Sequence, residues 1–229
     1  MSYNKILDND IKTIKKDLIN LVEATKSQYA KTFDVLKQKD LTLAKEVIKE
    51  DLKINDLQNS FTKMALWKIA KQQMVAGDLR LAIGGIIISK EIEKIADVAK
   101  HICSFTVKYN PEPLEINMIS KMFDYVNIML NIISSLIENY NVDHHQRVIK
   151  IEKELHNQFY LLNRTFINKI SSSKKEEEIK RANSAIWQIK NLERAAEYLI
   201  TIEETLQFIR IGKFDEIEET LVEHIENQK

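Results

Sequence analysis

Two short stretches of the chain carry acidic side chains at a spacing that suits metal coordination. Glu93 and Asp97 lie four residues apart, and so do Glu193 and Glu197. Both stretches are otherwise largely apolar and helical in character, so the two acids of each pair project from one helix face, one turn apart. Carboxylates placed in this way are common ligands of iron, zinc and manganese. Each pair is therefore a candidate metal site.

The same register recurs upstream, which indicates a duplicated unit. Val-Ile-Lys is followed by an acid at Asp51 and again, 101 residues later, at Glu152. The acidic pair at Glu93 recurs 100 residues later at Glu193. The two halves thus keep register to within one residue, which is the signature of an internal repeat.

The elements that must position these acids are helices. The chain has 229 residues but only four glycines and two prolines, too few for the turns of a β-rich fold. The charge balances at 34 basic and 34 acidic residues, so the overall basic surface of a nucleic-acid binder is missing. The longest apolar run, Leu81 to Ile88, is far too short to span a membrane. We expect an all-α, cytoplasmic protein without a signal peptide, membrane insertion or nucleic-acid partner.

Residues that end or cap helices divide the chain into six segments. Asp40 is a predicted N-cap, Gly77 and Gly212 are predicted helix ends, and Ser173 with Glu176 matches a capping box. The only proline-rich segment, 110–113, lies near the midpoint and should separate the halves. The predicted helices run at about Asp8–Leu36, Leu41–Met74, Asp78–Lys108 and Leu114–Tyr140, then from Asn141 or Asp143 to Ser171, and from the Ser173 box to Ile211.

The third helix shows most clearly how the core is built. Apolar residues follow steps of three and four along one seam of this helix. Gly84 and Gly85 interrupt it at a cost of about 1 kcal/mol each, which indicates close approach by a neighbouring helix. Six such helices suffice for two three-helix bundles. The seam comprises Ile88, Ile92, Ile95, Ala99 and Ile102.

Several residues that could do chemistry have a simpler structural interpretation. Cys103, the single cysteine, stands among apolar residues and reads as a buried small hydrophobe rather than a nucleophile. Trp67 and Trp187 occupy helical positions and read as core or interface residues. His144 and His145 stand at a predicted helix start and read as a solvated turn.

The order of these motifs resembles that of the PhoU family of phosphate-uptake regulators. Asp40 to Ile48 resembles the start of the family's second helix, and Gln73 to Arg80 resembles its junction between helices two and three. Glu93 to Asp97 resembles its E-x-x-x-D metal motif. Glu193 to Glu204, followed by Gly212-Lys213, resembles the end of its last helix. The resemblance covers most of the chain, from the first helix to Gly212.

The resemblance implies a fold of two pseudo-symmetric three-helix bundles. We expect the first bundle at 1–109, a linker at 110–115, the second bundle at 116–212 and a charged tail at 213–229. Such proteins often dimerise, so we expect a homodimer.

The resemblance also implies a function exerted by contact rather than catalysis. Members restrain the Pst phosphate ABC transporter by touching its cytoplasmic ATPase subunit and, where one exists, a sensor histidine kinase. Several members hold iron, zinc or similar ions on their E-x-x-x-D faces.

The chain departs from the family pattern at several presumed ligand positions. Asn55 and Gln58 stand where the family often has acids, and His156 stands at the place that matches Asn55. Glu197 replaces an aspartate, and His101 replaces an asparagine one turn beyond the first acidic pair. We therefore expect fewer or weaker metals than in a member with the full motif. The predicted ligands are Asp51, Glu93, Asp97 and His101 in the first half and Glu152, His156, Glu193 and Glu197 in the second.

Other interpretations stay open for the acids and for the function. Acids four apart on a helix commonly form exposed pairs with lysine or arginine. A ferritin-like di-iron oxidase is disfavoured, because none of the five histidines has a glutamate three residues before it. The phosphate-binding loop, the nucleophile elbow and the C-x-x-C motif are also missing. The alternatives that remain are a metal-free helical adaptor and an accessory protein of another phosphate permease.

Overall fold

The computed structural model describes residues 3–72, 74 and 76–213, and within those residues the chain forms six long α-helices and no strand. This confirms the all-α prediction. Residues 214–229 of the predicted charged tail lie outside the described residues. The helices are α1 (Tyr3–Gln38), α2 (Leu41–Gln72), α3 (Ala76–Tyr109), α4 (Pro113–Glu138), α5 (Val142–Ser172) and α6 (Glu176–Ile211).

The six helices form two three-helix bundles that pack side by side. Helices α1, α2 and α3 contact one another in the first bundle, and α5 and α4 both pack on α6 in the second. The bundles meet through α3 against α6 and α1 against α4, which are pairs of equivalent helices in the repeat. One apolar core runs continuously through both bundles. The arrangement is therefore pseudo-two-fold, with α2 and α5 on the outer sides.

Three of the predicted helix boundaries are confirmed by their capping geometry. The Asp40 carboxylate accepts hydrogen bonds at 2.9 and 3.0 Å from the first backbone N–H groups of α2. Asn141 caps α5 by accepting a hydrogen bond from the N–H of Asp143 at 2.8 Å. Gly212 ends α6 in the left-handed conformation, with φ of 82°. Such caps satisfy backbone groups that the helix itself leaves unpaired.

The junction before α3 differs from the prediction. Helix α2 ends at Gln72, and α3 begins at Ala76, so Gly77 and Asp78 belong to the first turn of α3. Ala76, and not Gly77, takes the left-handed conformation here, with φ of 49°. Asp78 suits its place because an acid in the first turn interacts favourably with the helix dipole.

The predicted capping box at Ser173 and Glu176 is wrong. Ser173 is still the C-cap of α5, and its hydroxyl donates to Glu178 at 2.8 Å. Helix α6 begins at Glu176 with Lys175 as its N-cap, and Lys175 makes no side-chain capping bond. Ser173 lies two residues before this N-cap, and its hydroxyl accepts a hydrogen bond from the Lys175 N–H at 3.2 Å instead of capping the first turn of α6.

Helix α4 begins inside the predicted linker 110–115. Its first residue is Pro113, which is favourable because the N–H that proline lacks would have no helical partner at this position. The Glu115 carboxylate accepts a hydrogen bond from the Glu112 N–H at 2.9 Å. It is fully buried and also binds Lys169 and Arg181, each at 3.0 Å. This carboxylate joins α4, α5 and α6 at one end of the second bundle.

The apolar seam of α3 is buried as predicted and sets the rotation of this helix. All five seam residues are inaccessible to solvent. Tyr29 of α1 donates a hydrogen bond to the Ile95 carbonyl of α3 at 3.0 Å, and its ring stacks on Phe123 of α4 at 4.7 Å. These contacts fix the rotation of α3 about its axis. Glu93 and Asp97 therefore lie outside the core, on the side of α3 that is partly exposed to solvent. The core thus positions the acids.

Both helical glycines allow close approach, as predicted. A Cβ on Gly84 would lie 2.6 Å from Ile209 Cγ1 of α6, and one on Gly85 would lie 3.0 Å from the Phe61 ring of α2. Gly84 is therefore the residue that lets the two bundles come together.

The length and hydropathy of a helix determine whether it can span a membrane. Among the described residues, no helix combines the length and the hydropathy needed to cross a bilayer.

We expect Gly84→Val to destabilise the protein. The added side chain must displace Ile209 at the contact between the bundles, and overpacking of this kind typically costs about 1–3 kcal/mol. For a chain of this length the midpoint of thermal unfolding should fall by about 2–4 °C per kcal/mol. The matched control is Gly77→Val in the same helix, where the nearest atom to a new Cβ is 3.9 Å away. An equal shift in both variants would contradict the close contact.

Candidate functional site

The eight predicted metal ligands lie in two clusters, one where α2 packs on α3 and one where α5 packs on α6. We call these clusters the first and second acidic faces. The first face consists of Asp51, Glu93, Asp97 and His101, and the second of Glu152, His156, Glu193 and Glu197.

A lysine of the chain itself joins the two helices at the first acidic face. Lys100 Nζ lies 3.0 Å from Asp51 Oδ2 of α2 and also pairs with Asp97, one turn away on α3. Burial by itself would lower the pKa of Lys100, but its hydrogen bonds to Asp97 and Asp51 outweigh burial and raise the pKa. The ammonium is therefore charged at neutral pH. The Asp51 side chain is only 3% exposed, so Lys100 is the cation that compensates a nearly buried carboxylate.

The remaining acid of the first face also has a lysine partner. Lys90 Nζ lies 2.6 Å from Glu93 Oε2. His101 Nε2 lies 3.4 Å from Asp97 Oδ2 and is largely exposed, while Asn55 donates to Asp51 at 3.4 Å. At the first face, all three acids therefore form ion pairs with lysines, as the alternative interpretation of the sequence predicts.

The second acidic face repeats one ion pair of the first and replaces another. Lys190 pairs with Glu193, as Lys90 pairs with Glu93 one repeat earlier. The link between helices is different, because His156 Nδ1 of α5 lies 3.2 Å from Glu193 Oε1 of α6. The Glu193 side chain is only 6% exposed. An imidazole thus stands here in place of the first face's bridging ammonium.

The environment of Glu152 in the second face disfavours its ionised form. Burial raises the pKa of its carboxyl, and the negative charges of Glu197 and Glu193 raise it further. His156 acts in the opposite direction without reversing the result. The position equivalent to Lys100 is Ile200, which has no charge.

The two faces differ in how well they fit a metal ion. Among the described residues, no group of three or more His, Cys, Asp or Glu side chains is arranged to hold one. The first face does not fit an additional cation, because the Lys100 ammonium already lies against Asp51 and Asp97. The second face offers three carboxylates and an imidazole, a donor set that suits iron, zinc or manganese. The metal-binding roles of all eight residues stay predictions.

The lysines of these faces were not singled out by the sequence, although part of the signal was present. Lys90 and Lys190 stand three residues before equivalent acids, and Lys100 stands three residues after Asp97. These spacings place each pair on one helix face. Lys100 and Asp51 are 49 residues apart in the sequence, so no local spacing predicts their contact.

The interpretations of the aromatic residues and of one histidine need correction. Trp67 and Trp187 are 55% and 60% exposed, so the core interpretation is wrong and only the interface interpretation remains. His145 is buried and pairs with the fully buried Glu203 of α6, so it is not part of a solvated turn. The prediction assumed that the start of a helix is exposed to solvent, but α6 covers the start of α5 at His145.

Cys103 is the buried small residue that the sequence predicts. It is inaccessible to solvent, and its Sγ lies 3.6 Å from Thr32 Oγ1. Burial raises the pKa of the thiol to about 11. A thiol that stays protonated at neutral pH is a poor nucleophile.

We expect Glu152→Gln to raise the stability of the metal-free protein near neutral pH. The raised pKa means that ionising Glu152 costs the folded chain more than the unfolded chain, so stability falls as pH rises through the carboxyl's ordinary range. Glutamine removes this cost. Thermal unfolding in chelator should show a higher midpoint for the variant at about pH 7 and no gain at about pH 4 or below, where the carboxyl is protonated in both states. Glu154→Gln, an exposed change in the same helix, is the control. A lower midpoint for Glu152→Gln at neutral pH would contradict the raised pKa of Glu152.

Known proteins with the same fold are found for almost the whole chain. The crystal structure of the phosphate transport system regulatory protein PhoU from Streptococcus pneumoniae superposes with a TM-score of 0.81, at 18% identity, over 92% of this chain and 100% of that one. PhoU from Pseudomonas aeruginosa superposes with a TM-score of 0.83, at 19% identity, over 90% and 99% of the two chains. These likenesses confirm the fold of two three-helix bundles.

Relatives by sequence have the same length. A phosphate-specific transport system accessory protein PhoU homolog from Clostridium acetobutylicum is 22% identical over 213 residues, which is 91% of this chain and 96% of that protein. A homolog with the same name from Aquifex aeolicus is 26% identical over 133 residues, 58% of each chain.

The family model described as PhoU domain matches the chain twice, at residues 18–106 and 119–206. The second match starts 101 residues after the first and ends 100 residues after it, which is the register of the acidic repeat. The two copies coincide with the two bundles and together cover more than half of the sequence. The chain therefore belongs to the PhoU family.

Proposed function

We propose that this protein restrains phosphate uptake by binding the ATPase subunit of a phosphate ABC transporter on the cytoplasmic side of the membrane. The observation that carries the proposal is the double match to the PhoU domain in the register of the repeat. Relatives of matching length bear the name of a phosphate-specific transport system accessory protein. A chain with both copies and both bundles has the parts for the same role.

The surface supports action by contact. Trp67 on α2 and Trp187 on α6 expose more than half of their surface, although tryptophan is the most costly side chain to leave in water and is enriched at the centres of interfaces. The acids, in contrast, are mostly paired within the chain. This distribution of apolar and charged groups favours a binding module over an enzyme.

The proposed assembly has two further parts. We propose a homodimer, and a sensor histidine kinase as a second partner in organisms that have one. The alternatives are a metal-free helical adaptor and an accessory protein of another phosphate permease. Both alternatives keep the fold. The first removes the metal, and the second replaces the transporter as the partner.

We also propose that the second acidic face takes up iron, zinc or manganese. In ion pairs, its three carboxylates have one ammonium and one imidazole as partners, and burial together with the charges of Glu197 and Glu193 raises the pKa of Glu152. The residues that would hold the ion are Glu152, His156, Glu193 and Glu197. A bound divalent cation would favour the ionised carboxylates and tie α5 to α6. Movement of these helices would then change the surface offered to the transporter.

The metal proposal predicts that protein purified without chelator contains one of these ions. Elemental analysis should find it in the wild type and find it lost in the double variant Glu193→Gln with Glu197→Gln. The matched control is Glu176→Gln with Glu177→Gln, two acids in the exposed first turn of the same helix. Protein that contains no metal after growth in metal-replete medium would favour the metal-free adaptor.

The transport proposal predicts that deletion raises phosphate accumulation in phosphate-rich medium. Tagged protein should recover the transporter ATPase, and the complex should survive moderate salt if the interface core is apolar, because salt screens mainly exposed charges. Trp67→Ala or Trp187→Ala should weaken recovery by about tenfold or more while leaving the helical circular dichroism intact.

The control for the tryptophan variants is Lys53→Ala, which changes a side chain that is highly exposed but not apolar. Unchanged uptake in the deletion strain, together with no ATPase in the recovered complex, would remove the transporter assignment. Recovery of a different phosphate permease would favour the second alternative.

A further inference from the structure

The two acidic faces are equivalent by the repeat but are neutralised by different groups. Both have three carboxylates and a lysine paired with the first glutamate of the motif, Lys90 or Lys190. The first face adds a second ammonium, from Lys100, whereas the equivalent position in the second face is Ile200. Among the described residues, two lysines therefore form ion pairs with the acids of the first face, and one does so in the second.

Lys100 occupies the position of a bridging ion. Its ammonium contacts Asp51 of α2 at 3.0 Å and Asp97 of α3, so one cation binds a carboxylate from each of two helices. A divalent metal at this place would make the same two contacts and would tie the same two helices together. The ammonium and a metal ion at this place would repel each other and compete for the same two carboxylates.

The burial of Asp51 shows that a cation is required here. Its side chain is 3% exposed, and its second oxygen, Oδ1, has no hydrogen-bond partner. A carboxylate so removed from water is costly unless a positive charge compensates it. The neighbouring amide of Asn55 contributes only one hydrogen bond, at 3.4 Å. Lys100 is the only ion-pair partner of Asp51 among the described residues.

We propose that the Lys100 ammonium is the resident cation of the first bundle, so that the first acidic face takes up no divalent metal while Lys100 is present. The Lys100 ammonium joins α2 to α3 as a bound metal ion would, but a chelator cannot remove it. The first bundle is therefore independent of metal supply. This inference concerns the first face alone and holds whether or not the second face binds metal or the protein contacts a transporter.

The test removes Lys100 in a background where the second face is silenced by Glu193→Gln with Glu197→Gln. Lys100→Ile copies the residue found in the second half. We expect this variant to unfold at a lower temperature in chelator, because Asp51 loses its cation. Added Mn²⁺ should bind this variant and should not bind the Lys100 chain in the same background, since a positive charge next to the ion has gone. Mn²⁺ should also restore its unfolding temperature. Calorimetry, the electron paramagnetic resonance of Mn²⁺ and thermal unfolding are the measurements.

Two further variants separate a created site from a general charge effect. Lys90→Ile removes a lysine from the same helix but leaves the bridge to Asp51 intact, so it should gain little Mn²⁺ affinity. Lys100→Ile with Asp51→Asn should recover stability without Mn²⁺ and should not bind it. If Lys100→Ile does not fold in chelator, Lys100→Gln undergoes the same measurements. Mn²⁺ bound at the first face of the Lys100 chain would overturn the proposal, and so would equal gains for Lys90→Ile and Lys100→Ile.

Discussion

Close packing of α3 against α6 at the centre of the molecule is the constraint on which the other features depend. Gly84 brings α3 so near to α6 that no Cβ fits between its backbone and Ile209. Helix α3 also packs on α1 and α2, and α6 packs on α4 and α5. A helix with three neighbours has only a narrow strip left for charges. Acids of both repeats lie in that strip. Glu93 and Asp97 border a cavity that residues of α6 also line, and Lys100 joins Asp97 to α2.

The charged contacts follow from this geometry and differ between the halves. An acid on the strip of α3 can reach α2, and an acid on the strip of α6 can reach α5. In the first bundle this contact runs from α3 to Asp51 through the Lys100 ammonium, and in the second it runs from α5 to Glu193 through the His156 imidazole. A duplicated helical frame has thus kept its acids and changed its cations. The acids of the two halves are thus neutralised by different groups.

The outer surface of the two bundles exposes large apolar side chains. With the apolar seams satisfied inside, Trp67 and Trp187 remain on the outside as large apolar side chains. Such residues are the usual centres of protein interfaces. A protein of the PhoU family that acts by contact needs a rigid frame, a contact surface and a way to couple the two. The ion pairs between α2 and α3 and between α5 and α6 join the helices of this frame at their edges.

Much of the fold could be predicted from the sequence, because the signals that specify it are local. The seam of α3, the caps at Asp40 and Asn141, the end at Gly212 and the 100-residue register all depend on residues a few positions apart or on a repeated pattern. The acids were assigned to one face of each helix for the same reason. The capping box at Ser173 failed because a local match does not show which of two adjacent helices the residue serves.

Only the tertiary structure decided which partners the acids have and which side chains are covered. Lys100 meets Asp51 across two helices, and this contact depends on the rotation of α3 that its three neighbours impose. The burial of His145 under α6 and the exposure of Trp187 depend on helix rotation in the same way. Spacing along a helix determines which residues share a face. It does not determine what that face meets, because that depends on packing energies summed over the whole bundle.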